Sequence, residues 1–139
     1  MNTHFSHITT LRVRYGETDQ MGYCYYGNYA QYFEVGRVEA MRSLGMSYRL
    51  LEERGVMLPV SEFSVHYIAP ALYDDELTIT TVISGLKGPR LYFDYTIEKE
   101  GKLIATATTT LVFVTKDTMR PIPPPNDFVN LMHPYEQEQ

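Results

Sequence analysis

Apolar and polar positions along the chain fall into two rhythms, and the change from one to the other predicts most of its elements. Leu11, Val13 and Tyr15 alternate with Arg12 and Arg14, the period of a short strand with one buried face, and Gly16 marks its end. A loop follows to about Gly27. From Asn28, a residue suited to an N-cap, Tyr29, Phe33, Gly36, Ala40, Met41 and Leu44 recur at helical spacing until Gly45 closes the run. Ser47 opens a shorter helical stretch over 48–54, stopped by Gly55. Beyond it, 60–68, 76–84, 90–99 and 102–115 are rich in β-branched and aromatic residues with period-two alternation, which predicts four more strands.

The turn-prone stretch 85–89 separates two of these strands, and Glu100-Gly101-Lys102 makes the last two antiparallel neighbours. In the strand over 90–99, Leu91, Phe93, Tyr95 and Ile97 share one face, while Tyr92, Asp94, Thr96 and Glu98 share the other. The apolar face needs a cover. The helix from Asn28 is the only long one available, and Gly36 and Ala40 would let its backbone lie close to the sheet. The chain reads as one α+β domain over 1–139, an antiparallel sheet wrapped around one helix, with a proline-rich extended tail from about 120 and mobile residues at 136–139.

Composition narrows the function. The 12 basic and 17 acidic side chains leave a net charge of −5, without the basic footprint that nucleic acid or an anionic membrane demands. Cys24 is the only cysteine, so neither an intramolecular disulfide nor a cysteine-based zinc cluster is available. The first ten residues lack the charged start and apolar run of a signal peptide, and no segment approaches membrane-spanning length. A cytoplasmic protein is expected.

The densest run of unusual residues is 15–29, YGETDQMGYCYYGNY, a loop between strand and helix where function often resides. From here the sequence resembles the 4-hydroxybenzoyl-CoA thioesterase-like branch of the hotdog thioesterases. The similarity runs through Glu17-Thr18-Asp19, Gly22, Tyr25, Tyr26 and Asn28-Tyr29, then Pro70, Tyr73-Asp74-Asp75 and Leu77. It implies a hotdog fold, a five-stranded antiparallel sheet around one long central helix, assembled as a homodimer or as a homotetramer of paired dimers. It also implies that Asp19 is the catalytic carboxylate and that the Tyr26 amide polarises the thioester carbonyl.

Elementary chemistry points the same way. Attack on a thioester makes its carbonyl oxygen an anion, and free N–H groups with the positive end of a helix dipole suit that oxygen. Asp19 lies seven residues before Tyr26, close enough for the loop to fold back, so its carboxylate could attack directly or act as base on water. A coenzyme A thiol leaves readily and needs little help from a general acid. No metal or redox cofactor is implied, and coenzyme A enters only as part of the substrate.

Each of these residues also has a plainer reading. Glu17 is the competing carboxylate, or a partner of Arg12 or Arg14. Cys24 reads as a small buried hydrophobe. Tyr25, Gly27, Asn28 and Tyr29 at the helix start are candidates for contact with the substrate, and Tyr29, Tyr32 and Phe33 also suit core packing. Met57, Leu58 and Val60 could supply apolar wall, and Lys87 and Arg90 could approach the phosphates of coenzyme A or form an ordinary solvated turn. His66 reads as structural or interfacial. Gln20 replaces the proline of the hydroxybenzoyl enzymes, whereas Tyr26 fits their pattern, so the acyl group stays open. The expected activity is hydrolysis of an acyl-CoA thioester to a free acid and coenzyme A. The rivals are a non-catalytic acyl-CoA or acyl-carrier binding protein and a hotdog dehydratase or hydratase that would have to use His66.

Overall fold

The computed structural model describes residues 1–138. In chain order its elements are β1 (Asn2–Arg12), α1 (Tyr29–Leu44), α2 (Tyr48–Glu53), β2 (Val56–Met57), β3 (Val60–Tyr67), β4 (Glu76–Lys87), β5 (Arg90–Lys99), β6 (Lys102–Val112), β7 (Val114–Thr115) and α3 (Asn126–Met132). Five of the strands form one antiparallel sheet in the order β1-β4-β5-β6-β3, and β2 pairs with β7 beside it.

α1 lies across this sheet because its buried stripe meets the sheet's apolar face. Tyr29, Tyr32, Phe33, Gly36, Ala40, Met41 and Leu44 point inward from the helix, and Leu91, Phe93, Tyr95 and Ile97 point inward from β5. The close approach occurs at Gly36, where an added Cβ would sit 2.5 Å from Thr81 Oγ1 and 3.0 Å from Ile79 Cγ2. Gly45 ends the helix in the left-handed region at φ 108°, and Ser47 caps α2 by accepting from the Leu50 amide. The β5–β6 turn is the two residues Glu100 and Gly101, both at positive φ, as a twist-matched hairpin requires.

Three expectations are corrected. The first strand runs from Asn2 to Arg12, whereas Tyr15 belongs to a 3-10 turn and is exposed. Its inward positions begin with Thr3 and Phe5 and continue through His7 and Thr9, so apolar alternation does not announce it. The turn expected over 85–89 is only Gly88-Pro89, because β4 continues through an irregularity near Gly85 to pair Lys87 with Arg90. The C-terminal segment does not stay an extended tail beyond the prolines of 120–125. After Pro125 it forms α3, whose Phe128 and Met132 are fully buried and whose Phe128 ring packs on Phe113 at 5.3 Å.

The two edges of the sheet differ. Along β1, Thr3 bridges to Glu136 and the Gln137 amide donates to the Asn2 carbonyl at 2.8 Å, so residues expected to be mobile cover the start of that edge, while Gln139 lies outside the described residues. Along β3 the outer edge is bare among the described residues, and Val60, Phe63 and Tyr67 are exposed there.

Candidate active site

The loop between β1 and α1 is folded as a small antiparallel hairpin. Val13 exchanges backbone bonds with the 74–75 turn, its amide donating to the Asp75 carbonyl and its carbonyl accepting from the Asp74 amide. Thr18 then bridges Cys24, the Tyr25 amide donates to the Glu17 carbonyl at 2.8 Å, and the Asp19 amide donates to the Tyr23 carbonyl at 2.8 Å. Gly22, at φ 80°, makes the reversal and donates to the Asp19 carbonyl.

Glu17 is the structural centre of this hairpin. One carboxylate oxygen accepts from the Arg14 amide and from the Tyr32 hydroxyl, both at 2.9 Å, and the other accepts from Arg14 Nη2 at 2.9 Å and Nε at 3.3 Å. Burial alone would raise its pKa, but the hydrogen bonds from Arg14 and Tyr32 and the Arg14 charge outweigh burial and hold it below the ordinary value. Its backbone carbonyl accepts a second bond, from Asn28 Nδ2 at 2.8 Å. Asn28 therefore ties helix to loop and makes no N-cap bond. Arg12, the other partner considered for Glu17, bonds to the Asp74 carbonyl and to Glu76.

Asp19 is tied by one oxygen only. Its Oδ1 accepts from the Met21 amide at 2.9 Å and the Tyr23 amide at 3.3 Å, and Oδ2 has no partner among the described residues. On the other arm, Tyr25 is the effective N-cap: Tyr26–Asn28 form a 3-10 turn that runs directly into α1. The Asn28 amide donates to the Tyr25 carbonyl, whereas the amides of Tyr26 and Gly27 find no acceptor among the described residues. The Tyr25 ring lies over Gly27 so closely that a Cβ there would meet it at 2.6 Å.

Cys24 is buried, with its sulfur 3.2 Å from the Tyr32 hydroxyl, and burial pushes its thiol pKa up, which suits packing and not attack. Tyr29 is buried as well, its hydroxyl pushed up to about 12 by burial. Its ring sits 5.2 Å from that of Tyr67 on β3, and the Tyr67 hydroxyl donates to the Tyr26 carbonyl at 3.2 Å. Tyr67 was not among the residues singled out from sequence. It lies 41 positions from Tyr26, and nothing in the local pattern of β3 marks it.

The chain brings Asp19, Tyr25, Tyr26, Gly27, Asn28 and Tyr29 together, but not the other four candidates. Tyr67 pairs with Ala105 at the loop end of the sheet, and Val60 pairs with Leu111 at the opposite end, where Arg90 faces Val112 and Lys87 faces Arg90. β4 separates Lys87 from the 74–75 turn by roughly 35 Å of extended chain. Met57 instead lines a cavity of about 130 Å³ with Tyr48, Leu51 and Leu58. His66 opens onto the outer face of the sheet with Ser64, Asp94 and Thr106, away from the helix, so no histidine converges on the Asp19 loop as a dehydratase would require. Among the described residues no three His, Cys, Asp or Glu side chains gather as metal ligands.

Comparison with known proteins follows the same outline. The sequence profile of the thioesterase-like superfamily matches residues 13–131. YbgC of Escherichia coli O6:H1, an acyl-CoA thioester hydrolase, is 33% identical over 120 residues, covering 86% of this chain and 90% of that protein. YbgC of Haemophilus influenzae, an acyl-CoA thioesterase, is 29% identical over 124 residues, or 88% of this chain and 91% of that one. Among solved structures, a DHNA-CoA thioesterase from Staphylococcus aureus superimposes with a TM-score of 0.87 at 34% identity, over 91% of this chain and 87% of that chain.

Proposed function

The chain belongs to the thioesterase-like superfamily and hydrolyses acyl-CoA thioesters to a free acid and coenzyme A, and from that premise we propose that Asp19 and the bare amides at the start of α1 carry out the reaction. The supporting observation is the half-committed carboxylate: Oδ1 is fixed by two backbone amides, and Oδ2 is left to react. Asp19 pairs with Tyr23, three residues before the Tyr26 amide on the same hairpin.

In this reading the thioester oxygen lies on the Tyr26 amide, whose hydrogen bond strengthens as negative charge develops. Asp19 Oδ2 either attacks the carbonyl carbon or takes a proton from the water that does. In the first case an anhydride forms as the C–S bond breaks, the thiolate takes a proton from solvent, and water then opens the anhydride to release the acid and restore the carboxylate. In the second, water adds, the tetrahedral adduct expels the thiolate, and the proton on Asp19 passes to sulfur. Neither route calls on a metal or redox cofactor. A protein that only binds acyl-CoA would gain nothing from a free carboxylate beside a carbonyl.

We further propose that the enzyme is a homodimer or a pair of dimers joined through β3. This is the bare sheet edge with exposed Val60, Phe63 and Tyr67, whereas the C-terminal residues guard β1. No helix among the described residues is long and apolar enough to cross a membrane. With Cys24 as its only, free cysteine, the protein suits the cytoplasm.

The test is thiol release from a panel of short, medium, long and aromatic acyl thioesters of coenzyme A and of a carrier protein, with wild type and Asp19→Asn side by side. The expected result is turnover that falls by about 10²- to 10⁴-fold in the variant with fold unchanged. Binding without thiol release by either protein would replace the enzyme by a binding protein.

A further inference from the structure

Two amides are bare at the start of α1, and one side chain outside the loop reaches this turn. Tyr67, at the end of β3, packs its ring 6.2 Å from the Tyr26 ring and 5.2 Å from the Tyr29 ring, and its hydroxyl donates to the Tyr26 carbonyl. That carbonyl belongs to the same planar peptide as the Gly27 N–H, and a trans peptide points the two in opposite directions. A donor on the oxygen therefore fixes the direction of the N–H and polarises it.

We propose that Tyr67 is a positioning residue for the reaction: it holds the Tyr26–Gly27 peptide so that the Gly27 amide stands beside the Tyr26 amide as a second donor to the thioester oxygen. Gly27 suits this duty on steric grounds as well. The Tyr25 ring occupies the place a Cβ would take, so the backbone alone is presented there. Within the 3-10 turn the Tyr26 carbonyl also accepts from the Tyr29 amide, and the tie from β3 adds a second donor that anchors this peptide to the sheet.

The inference rests on the proposed chemistry, and one experiment separates the two. Tyr67→Phe removes only the hydroxyl and keeps the ring against Tyr26 and Tyr29. Wild type and variant are compared on an acyl-CoA that the wild type turns over, with Tm measured on both. The expected result is a kcat about tenfold lower, less than the roughly 10²-fold loss that follows removal of a whole oxyanion donor, with KM and Tm essentially unchanged. An unchanged kcat, or a KM that rises in proportion, overturns the role of Tyr67 and leaves the thioesterase chemistry standing. A wild type that releases no thiol overturns both.

Discussion

Glu17→Gln is the substitution that separates the two carboxylates of the loop. A glutamine in the same rotamer keeps one oxygen for the Tyr32 hydroxyl and the Arg14 amide but turns an NH2 toward the Arg14 guanidinium. Hydrogen bonds to a charged group are worth about 1.5–3 kcal/mol. The Arg14 side chain is 79% exposed, so solvent and salt screen its share, and about 1–2 kcal/mol is the expected loss. Glu17→Ala also strands the buried Tyr32 hydroxyl, whose remaining neighbour is the Cys24 sulfur, and brings the loss to about 3–4 kcal/mol. With a melting entropy of roughly 0.3 kcal/mol/K for a chain of this length, Tm falls by about 3–7 °C for Gln and about 10–13 °C for Ala at fixed protein concentration.

The pH dependence has a definite sign. Because the folded-state pKa of Glu17 is depressed, its contribution is complete above the unfolded carboxyl value of about 4.3 and is lost as pH falls through the lower folded value. The stability gap between wild type and Glu17→Gln should hold from neutrality to about pH 5 and close below about pH 4. Urea unfolding across that range measures it. A gap absent at pH 7, or unchanged down to about pH 3, would refute the assignment of Glu17 as the carboxylate that holds the loop. In turnover, Glu17→Gln should stay within about tenfold of wild type where Asp19→Asn does not. The reverse order would exchange the roles of the two residues.

Two other expectations concern packing and assembly. Gly36→Ala drives a methyl against Thr81 Oγ1, a buried oxygen with no partner, and should cost about 1–2 kcal/mol after the helix-propensity gain. Adding Thr81→Ala should recover most of that loss, and strictly additive urea midpoints in the double-mutant cycle would refute the contact. Wild type should sediment as a dimer or larger, and Phe63→Lys on the exposed β3 edge should shift it toward monomer with circular dichroism unchanged. A wild type that sediments as a monomer at micromolar concentration rules out the β3 assembly.

The parts of the molecule that were legible in sequence are those in which one residue's neighbours along the chain decide its environment. α1 announced itself by its apolar stripe and Gly45, and the β5–β6 hairpin by Glu100-Gly101. β1 did not, because its inward positions include Thr3, His7 and Thr9, which become acceptable only when β4 pairs with them. α3 was hidden by the prolines before it, although Phe128, Leu131 and Met132 fall at helical spacing and Asp127 stands in its first turn. In the proposed site, Asp19 and Tyr26 could be put forward from sequence because both lie on one short loop. The pairing of Glu17 with Arg14 was among the sequence readings, but its bond to Tyr32 fifteen residues away was not, and Tyr67 is more distant still.

The placement of the candidates also constrains how a large substrate is held. The carboxylate, the two bare amides and the tie from Tyr67 all come from one chain at one end of the sheet. Lys87 ends β4 and Arg90 begins β5 at the other end of the sheet, and continuous strands and the 16-residue α1 span the distance between the two ends. A rigid sheet does not fold that distance away. A coenzyme A whose thioester lies at Asp19 meets these two cations only if they belong to another copy of the chain. On the proposed assignment bond cleavage draws on groups local to one protomer, whereas any grip that Lys87 and Arg90 exert on the phosphates would depend on how copies of the chain are arranged. The open β3 edge and the covered β1 edge limit such an arrangement on the side of the chain where Tyr67 reaches the Tyr26 turn.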